Sequence, residues 1–571
     1  MAGFLDRWAT GLRAYVLAGL LLVACALPGL AGLQPLDRDE SRFAQATAQM
    51  FESGDFIRIS FQDEARNKKP VGIHWMQAVP VALTGGPEAR VIQVYRLPSL
   101  LGALLAAFSV IWIGRRLFSP RVGLVAGLAF GASLLLSTEA GIAKTDAMLT
   151  GLIALAYAGL ASLRHPAGLT RYGAAVFWVA LALAVLVKGP VAVLVIVPSL
   201  ILLAVWERDP VWMKPLLDWR WLGLAALIAV PWHVAIWIAT DGRFFVDAIG
   251  QDLAPKVAGA HENDPIPPGA HLLFSLINLW PAGLLAGPAV WAAWHWRRDP
   301  RGRFLVAWLV PGWLVFEAAP AKLLHYTLPV IGALVLLGAA GLAGGAWQNR
   351  WAKWGGLVWA ALGTVLVAAL PLTVAEGLEG PAVPLAAALT GAILLVGLAG
   401  IVAAAANRAL LAGALLALAA VGGSVGLKGL FVPAIDQLDL SRRISHELVL
   451  AGLHPRLSPA RPGPLVGVGY QEPSLIFLTR SDSQLAALGL AVAAATPGAG
   501  AVVARGEVAA FEAGLAARGL TVSWQPGQLA GLNYSKGDPV ELLIGRIGAA
   551  TAPAGQPARA PATPPVTDDT F

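Results

Sequence analysis

At 571 residues, 57% hydrophobic and only 13% charged, the chain is far too apolar for an ordinary soluble globular protein. A net charge of +7 would point a soluble protein toward nucleic acid, but here the Lys and Arg sit mainly in short loops between apolar runs, where they signal topology instead. Cys25 is the only cysteine, which excludes a disulfide framework and a cysteine-built zinc or iron–sulfur site within one chain.

Apolar runs of about 20 residues recur along most of the chain, each long enough to cross a hydrocarbon core of roughly 30 Å as a helix. Helices must carry these spans because every backbone polar group has to be satisfied internally in lipid. The first run follows Arg7 and Arg13, and its Ala-Cys-Ala-Leu-Pro-Gly-Leu-Ala stretch resembles a cleavage region; its length favours a retained anchor. In all, about 13 spans are expected, near 14–32, 94–114, 122–138, 147–163, 172–187, 189–206, 220–239, 272–296, 303–318, 325–345, 355–373, 383–405 and 409–431. Lys188-Gly189-Pro190 leaves open whether two short spans are one interrupted helix.

Alternate loops carry the cations: Arg7 and Arg13; Arg115, Arg116 and Arg121; Arg164 and Arg171; Arg208, Lys214 and Arg220; Arg297, Arg298, Arg301 and Arg303; Arg350 and Lys353; Arg408. These loops are expected in the cytoplasm with the N-terminus, and an odd span count then puts the C-terminus outside. The intervening short loops hold only Lys144, Lys188, Arg243, Lys256 and Lys322.

Two long segments interrupt the membrane pattern, both on the outer side. Residues 33–92 form the first outer loop of a transmembrane domain spanning 1–431, and their stretch from Ser41 to Phe51 reads as an amphipathic helix lying along the interface. Residues 432–548 alternate helical patterns (441–452, 506–518) with β-prone runs (465–470, 501–504, 540–544), which predicts a small extracytoplasmic α/β domain. From 549 to 571 the chain is mostly Ala, Pro and Thr, a composition expected to stay disordered. The fold class is therefore mainly α, a polytopic membrane protein with an added C-terminal α/β domain.

Ionisable groups at membrane depth are costly, so their clustering at one end of several spans favours function. The outer ends hold Asp39 and Glu40, Arg96, Glu139, Lys144 and Asp146, Lys188, His261 and Glu262, and Lys322, His325 and Tyr326. Both signs are present, as transfer from a phosphate-bearing donor requires: a carboxylate takes the acceptor proton and cations hold the departing phosphate. Ion pairs between helix ends, or a channel vestibule, would show the same mixture.

Local strings narrow this. Leu36-Asp37-Arg38-Asp39-Glu40-Ser41-Arg42-Phe43-Ala44, Gly54-Asp55, Lys69-Pro70 with Trp75, and Arg96-Leu97-Pro98-Ser99 come in that order. Lys144-Thr145-Asp146, Lys188-Gly189-Pro190, Pro231-Trp232, Phe244-Phe245, His261-Glu262 and Lys322-Leu323-Leu324-His325-Tyr326-Thr327-Leu328-Pro329 follow. Tyr470-Gln471-Glu472-Pro473-Ser474 and Asn533-Tyr534-Ser535-Lys536-Gly537 extend the likeness into the last domain. Together they resemble the aminoarabinose-transferase and protein O-mannosyltransferase families. That resemblance implies a C-type glycosyltransferase (GT-C) fold, a polyprenyl-phosphate sugar donor, and attack on the anomeric carbon with inversion.

The resemblance also assigns roles. Asp39 matches the first-loop aspartate that acts as catalytic acid/base or orients the acceptor, with Glu40 beside it; the plainer reading is that both cap the helix near Ser41. Asp146 matches a second family carboxylate, or else pairs with Lys144 or caps its span. Lys69 of the Lys-Pro turn, Arg96, Lys188 and Lys322 are candidates for the donor phosphate, and Tyr326 for one of its oxygens; snorkelling lysines and an interfacial tyrosine are the alternatives. Arg42, Lys68, Lys144 and His325 stand as acceptor-side or secondary residues.

Relatives of the aminoarabinose type place a divalent ion between a glutamate just before the Lys-Pro turn and a later histidine. Here Lys68 takes the glutamate's place, leaving His261 and Glu262 as possible ligands, and Lys68 is able to supply the cation's charge itself. His74 and Trp75 are assigned to the interface. No Gly-rich nucleotide cradle, nucleophile elbow or zinc-binding histidine pair stands at a convincing position, so a nucleotide cofactor is not expected.

The expected activity is transfer of a sugar from polyprenyl phosphate to lipid A or another envelope lipid or glycan, on the periplasmic face of a bacterial inner membrane. Protein O-mannosylation shares every donor-side feature. A transporter would instead show mid-membrane charges and two-fold repetition, neither of which is visible, and a non-catalytic envelope assembly factor would leave Asp39 replaceable.

Overall fold

The computed structural model describes residues 2–164, 170–208, 210–255, 266–460 and 462–550. The chain divides into two compact units, Met1–Asp439 and Leu440–Phe571. The boundary lies a few residues beyond 431, because the turns after that point still belong to the first unit: Ile435 and Phe431 pack with Ala375, Ala382 and Leu389.

The first unit is helical. Among its described residues, seven helices are long and apolar enough to cross a membrane: Arg13–Gly32 (α2, after a short α1 at Ala2–Ala9), Ile92–Leu117, Asp146–Leu163, Trp219–Thr240, Arg350–Ala375, Ala382–Ala405 and Ala409–Ala434. Four shorter apolar helices accompany them, at Pro120–Ala132, Tyr172–Lys188, Val191–Glu207 and Leu328–Ala343. Several of the thirteen expected runs are thus cut short by local chemistry. The run at 122–138 breaks at Ser133, whose extended backbone (ψ 139°) separates Pro120–Ala132 from a short helix, Leu134–Glu139. The run at 272–296 falls into three pieces around Pro281, and Gly189, at φ +59°, separates the helices on either side of Lys188-Gly189-Pro190.

The buried axis of this unit is the crossing of Ile92–Leu117 with Asp146–Leu163. Glycines make it close: a Cβ on Gly102 would overlap the backbone of Met148, and one on Gly151 would overlap the Gly102 carbonyl. Small residues at such crossings replace the hydrophobic drive that lipid does not supply. Gly102→Val should therefore lower the thermal midpoint of the purified protein, by the equivalent of about 1–3 kcal/mol for overpacking. An unchanged midpoint would mean that these helices slide apart freely. Further along the axis Tyr157 stacks on Trp308, with ring centres 4.2 Å apart, and donates to the Ser199 hydroxyl at 2.7 Å.

The last span is tied to the first by one cation. Lys428, buried, donates from Nζ to the Cys25 carbonyl at 2.7 Å and lies 3.4 Å from both oxygens of Ser137.

The first long loop is more deeply built in than an interfacial helix would be. α3 is Arg38–Ser53, and Asp37 caps it by accepting from the Asp39 and Glu40 amides at 2.7 and 3.2 Å; Gly54, at φ +71°, ends it. Its residues from Glu40 to Met50 are buried except Arg42 and Gln49, and the buried set includes polar side chains. Thr47 donates to Gln77 at 2.7 Å and meets His74 Nδ1 at 2.8 Å, while Arg90 binds Gln45 at 2.8 Å and Glu52. His74 is a buried residue of α4 (Gly72–Leu83), while Trp75 is partly exposed and donates to the Phe56 carbonyl. The buried face of α3 is satisfied by hydrogen bonds within the protein, which helical periodicity does not reveal.

The second unit is α/β. Strands β3 (Val466–Val468), β4 (Gln484–Leu485), β5 (Gly500–Ala504), β6 (Leu520–Trp524), β7 (Leu529–Asn533) and β8 (Asp538–Ala549) form one sheet, ordered β4-β3-β5-β8-β6 with β7 also on β8. β3 is parallel to β4 and β5, and β8 is antiparallel to its three partners. β1 and β2 (Ser60–Phe61, Glu64–Ala65) are a small hairpin in the first unit. The predicted strands at 465–470, 501–504 and 540–544 and helices at 441–452 and 506–518 correspond to β3, β5, β8, Leu440–Leu450 and Val508–Ala516. β4, β6 and β7 had no expectation. The proposed tail lies outside the described residues from 551 onward.

Candidate active site at one end of the helices

The site is built on a clamp. Arg96, in the first turns of its span, reaches Glu40 of α3 through Nε (2.7 Å) and Nη2 (3.0 Å), with the two side chains 1% and 2% exposed. Its remaining N–H groups go to the carbonyls of Gly29, Leu30, Leu33 and Gln34, between 2.7 and 3.3 Å, at the open C-terminus of α2. Glu40 Oε1 also accepts from the Ala143 amide at 2.8 Å. Every guanidinium N–H therefore has an acceptor inside the protein. This places Arg96 and Glu40 as a buried structural pair that fixes the first loop to two spans, rather than as a phosphate cation and a free carboxylate.

Beside the clamp, charges from distant parts of the chain meet. Lys144 Nζ lies 3.2 Å from Asp37 Oδ2 and 3.2 Å from Glu139 Oε1. Lys188, ending its helix, donates to Asp146 Oδ1 at 2.5 Å. His325 sits between the two groups, with Nε2 3.6 Å from Asp146 and Nδ1 3.9 Å from Glu139. Burial pushes the Glu139 carboxyl up to about 7 in spite of the Lys144 ammonium, and burial likewise pushes His325 down to about 4, with Lys144 and Lys188 adding to the fall and Asp146 opposing it. Lys144 is also desolvated, but Glu139, Asp146 and Asp37 outweigh that and hold it firmly charged.

Asp39 is different in kind. Its side chain is 59% exposed and pairs loosely, with Arg66 at 3.2 Å and Arg42 at 3.8 Å. Desolvation acts against the charge, but Arg66, Arg42 and Lys144 outweigh it and keep the carboxyl below its usual range. Arg66 is itself positioned over the Phe43 ring. Asp39 is thus an ionised carboxylate open to an acceptor at the edge of a cluster of fixed charges.

The other expected residues divide. The Lys69-Pro70 turn packs on the end of the helix that carries Lys188: Pro70 lies beside Gly189, and a Cβ on Gly72 would come within 2.7 Å of the Leu186 backbone. Lys69 is half-buried there and Lys68 is exposed. Lys322 is outside the charge cluster: its ammonium donates to the carbonyls of Ile266 and Ala319, both at 2.8 Å, and closes its own loop. Tyr326 follows His325, its ring packed near His271 and Phe316. His261 and Glu262 lie outside the described residues. Among the described residues no three His, Cys, Asp or Glu side chains gather as a cation would require. Lys68 puts an exposed ammonium where the family resemblance asks for a carboxylate, and no step below runs through a metal ion.

Sequence reasoning missed the roles of Asp37 and Arg66. Asp37 had a legible signal, an acidic residue ahead of further acids at a helix start, once α3 is begun at Arg38 rather than Ser41. Arg66 has none, because its partner Asp39 is 27 positions away in the chain. An apolar cavity of about 520 Å³ elsewhere in the first unit, lined by Leu272, Trp291, Trp313, Trp351 and Trp359 among others, contains none of the charged site residues.

Residues 68–237 match the family described as dolichyl-phosphate-mannose-protein mannosyltransferase. The undecaprenyl phosphate-alpha-4-amino-4-deoxy-L-arabinose arabinosyl transferase of Shewanella sediminis is 29% identical over 327 residues, 55% of this chain and 56% of that protein. Its counterpart from Pseudomonas paraeruginosa is 29% identical over 334 residues, 56% and 58% of the two chains. The chain thus spans a little over half the length of the curated relatives it matches. In fold the likeness is broader: the crystal structure of ArnT from Cupriavidus metallidurans bound to undecaprenyl phosphate aligns over 95% of this chain and 100% of that one, at 20% identity and a TM-score of 0.70. The apo form of the same protein gives 0.69. The chain therefore has the ArnT-like GT-C fold, mainly helical, with seven helices among its described residues long and apolar enough to cross a membrane.

Proposed function

We propose that the chain is an inner-membrane glycosyltransferase that moves a sugar, a 4-amino-4-deoxyarabinose-type pentose, from polyprenyl phosphate to lipid A or another envelope lipid or glycan on the periplasmic face. The observation that carries this reading is the convergence of Asp37–Glu40, Glu139–Asp146, Lys188 and His325 at one end of the spans, beside the Lys69-Pro70 turn. The activity for which the Shewanella and Pseudomonas relatives are named supports the donor class. The alternation of cation-rich loops supports about 13 spans with a cytoplasmic N-terminus, and with it a periplasmic 432–548 domain.

In this reading Asp39 takes the proton of the acceptor hydroxyl or phosphate as that oxygen attacks the anomeric carbon. The bond from that carbon to the donor phosphate breaks with inversion. Lys69 and Lys188, with Tyr326 near by, hold the polyprenyl phosphate as its charge grows, an electrostatic contribution made largest in a site shielded from water. Lys144 and Arg42 keep Asp39 ionised and Asp37 in place. A protein acceptor is the second reading, favoured by the family description that residues 68–237 match.

The test uses full-length protein in lipid vesicles with undecaprenyl-phosphate aminoarabinose and lipid A. The expected product is lipid A heavier by one aminoarabinose. No product, with mannose passing from undecaprenyl-phosphate mannose to a protein acceptor, would replace this reading by the second; no transfer in either assay would remove both.

A further inference from the structure

Glu139 is not needed in the transfer just described, yet its carboxyl is unusually placed. Its side chain is 6% exposed, Oε1 faces both Lys144 and His325, and Oε2 is buried without a hydrogen-bond partner. A carboxylate that leaves one oxygen bare in a buried place is costly, whereas the neutral acid is not. The charge count points the same way. Asp37, Glu139 and Asp146 oppose Lys144 and Lys188, with His325 between them, so the cluster is electrically neutral when a single extra proton rides on Glu139 or His325.

His325 is placed to conduct that proton. One ring nitrogen faces Glu139 and the other faces Asp146, whose carboxylate favours the tautomer with the hydrogen on Nε2. Asp146 is held by Lys188, one of the two lysines assigned to the donor phosphate. Distances of 3.6 and 3.9 Å are too long for direct hydrogen bonds and suit a bridging water, or a ring that closes when substrate binds.

We propose that Glu139 and His325 form a proton relay that protonates the departing polyprenyl phosphate. As the bond from the anomeric carbon to the phosphate oxygen breaks, Nε2 of His325 gives its proton to an oxygen of the phosphate, and Nδ1 takes the proton of Glu139. Glu139 becomes the anion and the imidazole stays neutral, with its tautomer reversed. Asp39 passes the acceptor's proton to water, and Glu139 takes one back from water, so protons balance over the cycle. His325 is the group that touches the leaving phosphate; Glu139 acts through it. The proposal rests on the donor class above and adds the route of the second proton. Among the described residues, the charged and titratable groups around Glu139 are Lys144 in its own loop, Asp37 ahead of α3, Asp146 at the next helix, His325 before Leu328–Ala343 with Lys188 behind it, and Lys428 of the last span on neighbouring Ser137.

Two measurements test it. Infrared difference spectra of the full-length protein in lipid vesicles, without substrate, should show a protonated carboxyl band that disappears as pH rises through about 7 and that is absent from Glu139→Gln. No band, or one retained in Glu139→Gln, overturns the stored proton whether or not sugar transfer is ever detected. In the undecaprenyl-phosphate aminoarabinose assay, wild-type kcat should fall above a pH of about 7. Glu139→Gln should run about a hundredfold slower with a flat profile in that range and donor KM within about twofold, and Glu139→Asp should restore the slope. Should Glu139→Gln not fold, His325→Asn decides: the band kept and the rate lost support the relay, and a wild-type rate with a wild-type profile overturns it.

Discussion

Asp39→Asn should reduce sugar transfer in vesicles by about a thousandfold or more, the upper range for removing a general base, while leaving the thermal midpoint unchanged. The asymmetry follows from its surroundings. Asp39 is exposed over more than half of its side chain, and its partners Arg66 and Arg42 stand at 3.2 and 3.8 Å. Pairs of that kind contribute about 0–1 kcal/mol to stability, so the fold does not depend on the charge. Chemistry does, because the neighbouring carboxylates are committed: Glu40 to Arg96, Asp146 to Lys188, Asp37 to the helix cap and Lys144. Activity within tenfold of wild type, in a protein that melts normally, would take the base role from Asp39.

Arg96→Ala should have the opposite profile, with little or no folded protein to assay. Removing one partner from a buried pair costs about 3–5 kcal/mol, because the remaining charge stays desolvated. Here Glu40 would be stranded at 2% exposure, and the carbonyls that end α2 would lose their shared donor. Replacing both partners, Glu40→Gln with Arg96→Met, should recover part of the loss, since no charge is then left buried. Circular dichroism melts of the purified variants measure this. If Arg96→Ala instead melts as wild type and only its donor KM rises, Arg96 is a substrate ligand and the clamp is incidental.

The membrane character and the neighbourhood of the site were legible in sequence because they depend on local composition. Long apolar runs announce spans, and Asp39, Lys144-Thr145-Asp146, Lys188 and His325 all stand where such runs end. What was not legible is pairing across distance. Glu40 and Arg96 are 56 residues apart, and nothing in either string says that their charges cancel. Span lengths failed for a different cause. Ser133 and Pro281 interrupt hydrogen bonding without interrupting apolarity, so hydropathy runs on where the helix does not. In the second unit, β6 and β7 escaped notice because they are short and pair with the long β8 from one side, with much of their surface exposed.

The attachment of Lys428 to Cys25 bears on how the chain is made. The two residues are separated by 403 positions, so α2 waits for nearly the whole first unit to be synthesised before that contact forms. Until then the carbonyl at Cys25 lacks its lysine donor, and the groove beside Gly29 that receives the Lys428 stem stands open. Insertion of this protein therefore ends with a ring closure rather than a simple run of hairpins, and a chain interrupted before its last span would carry an unfinished seam for the quality-control machinery of the membrane to find.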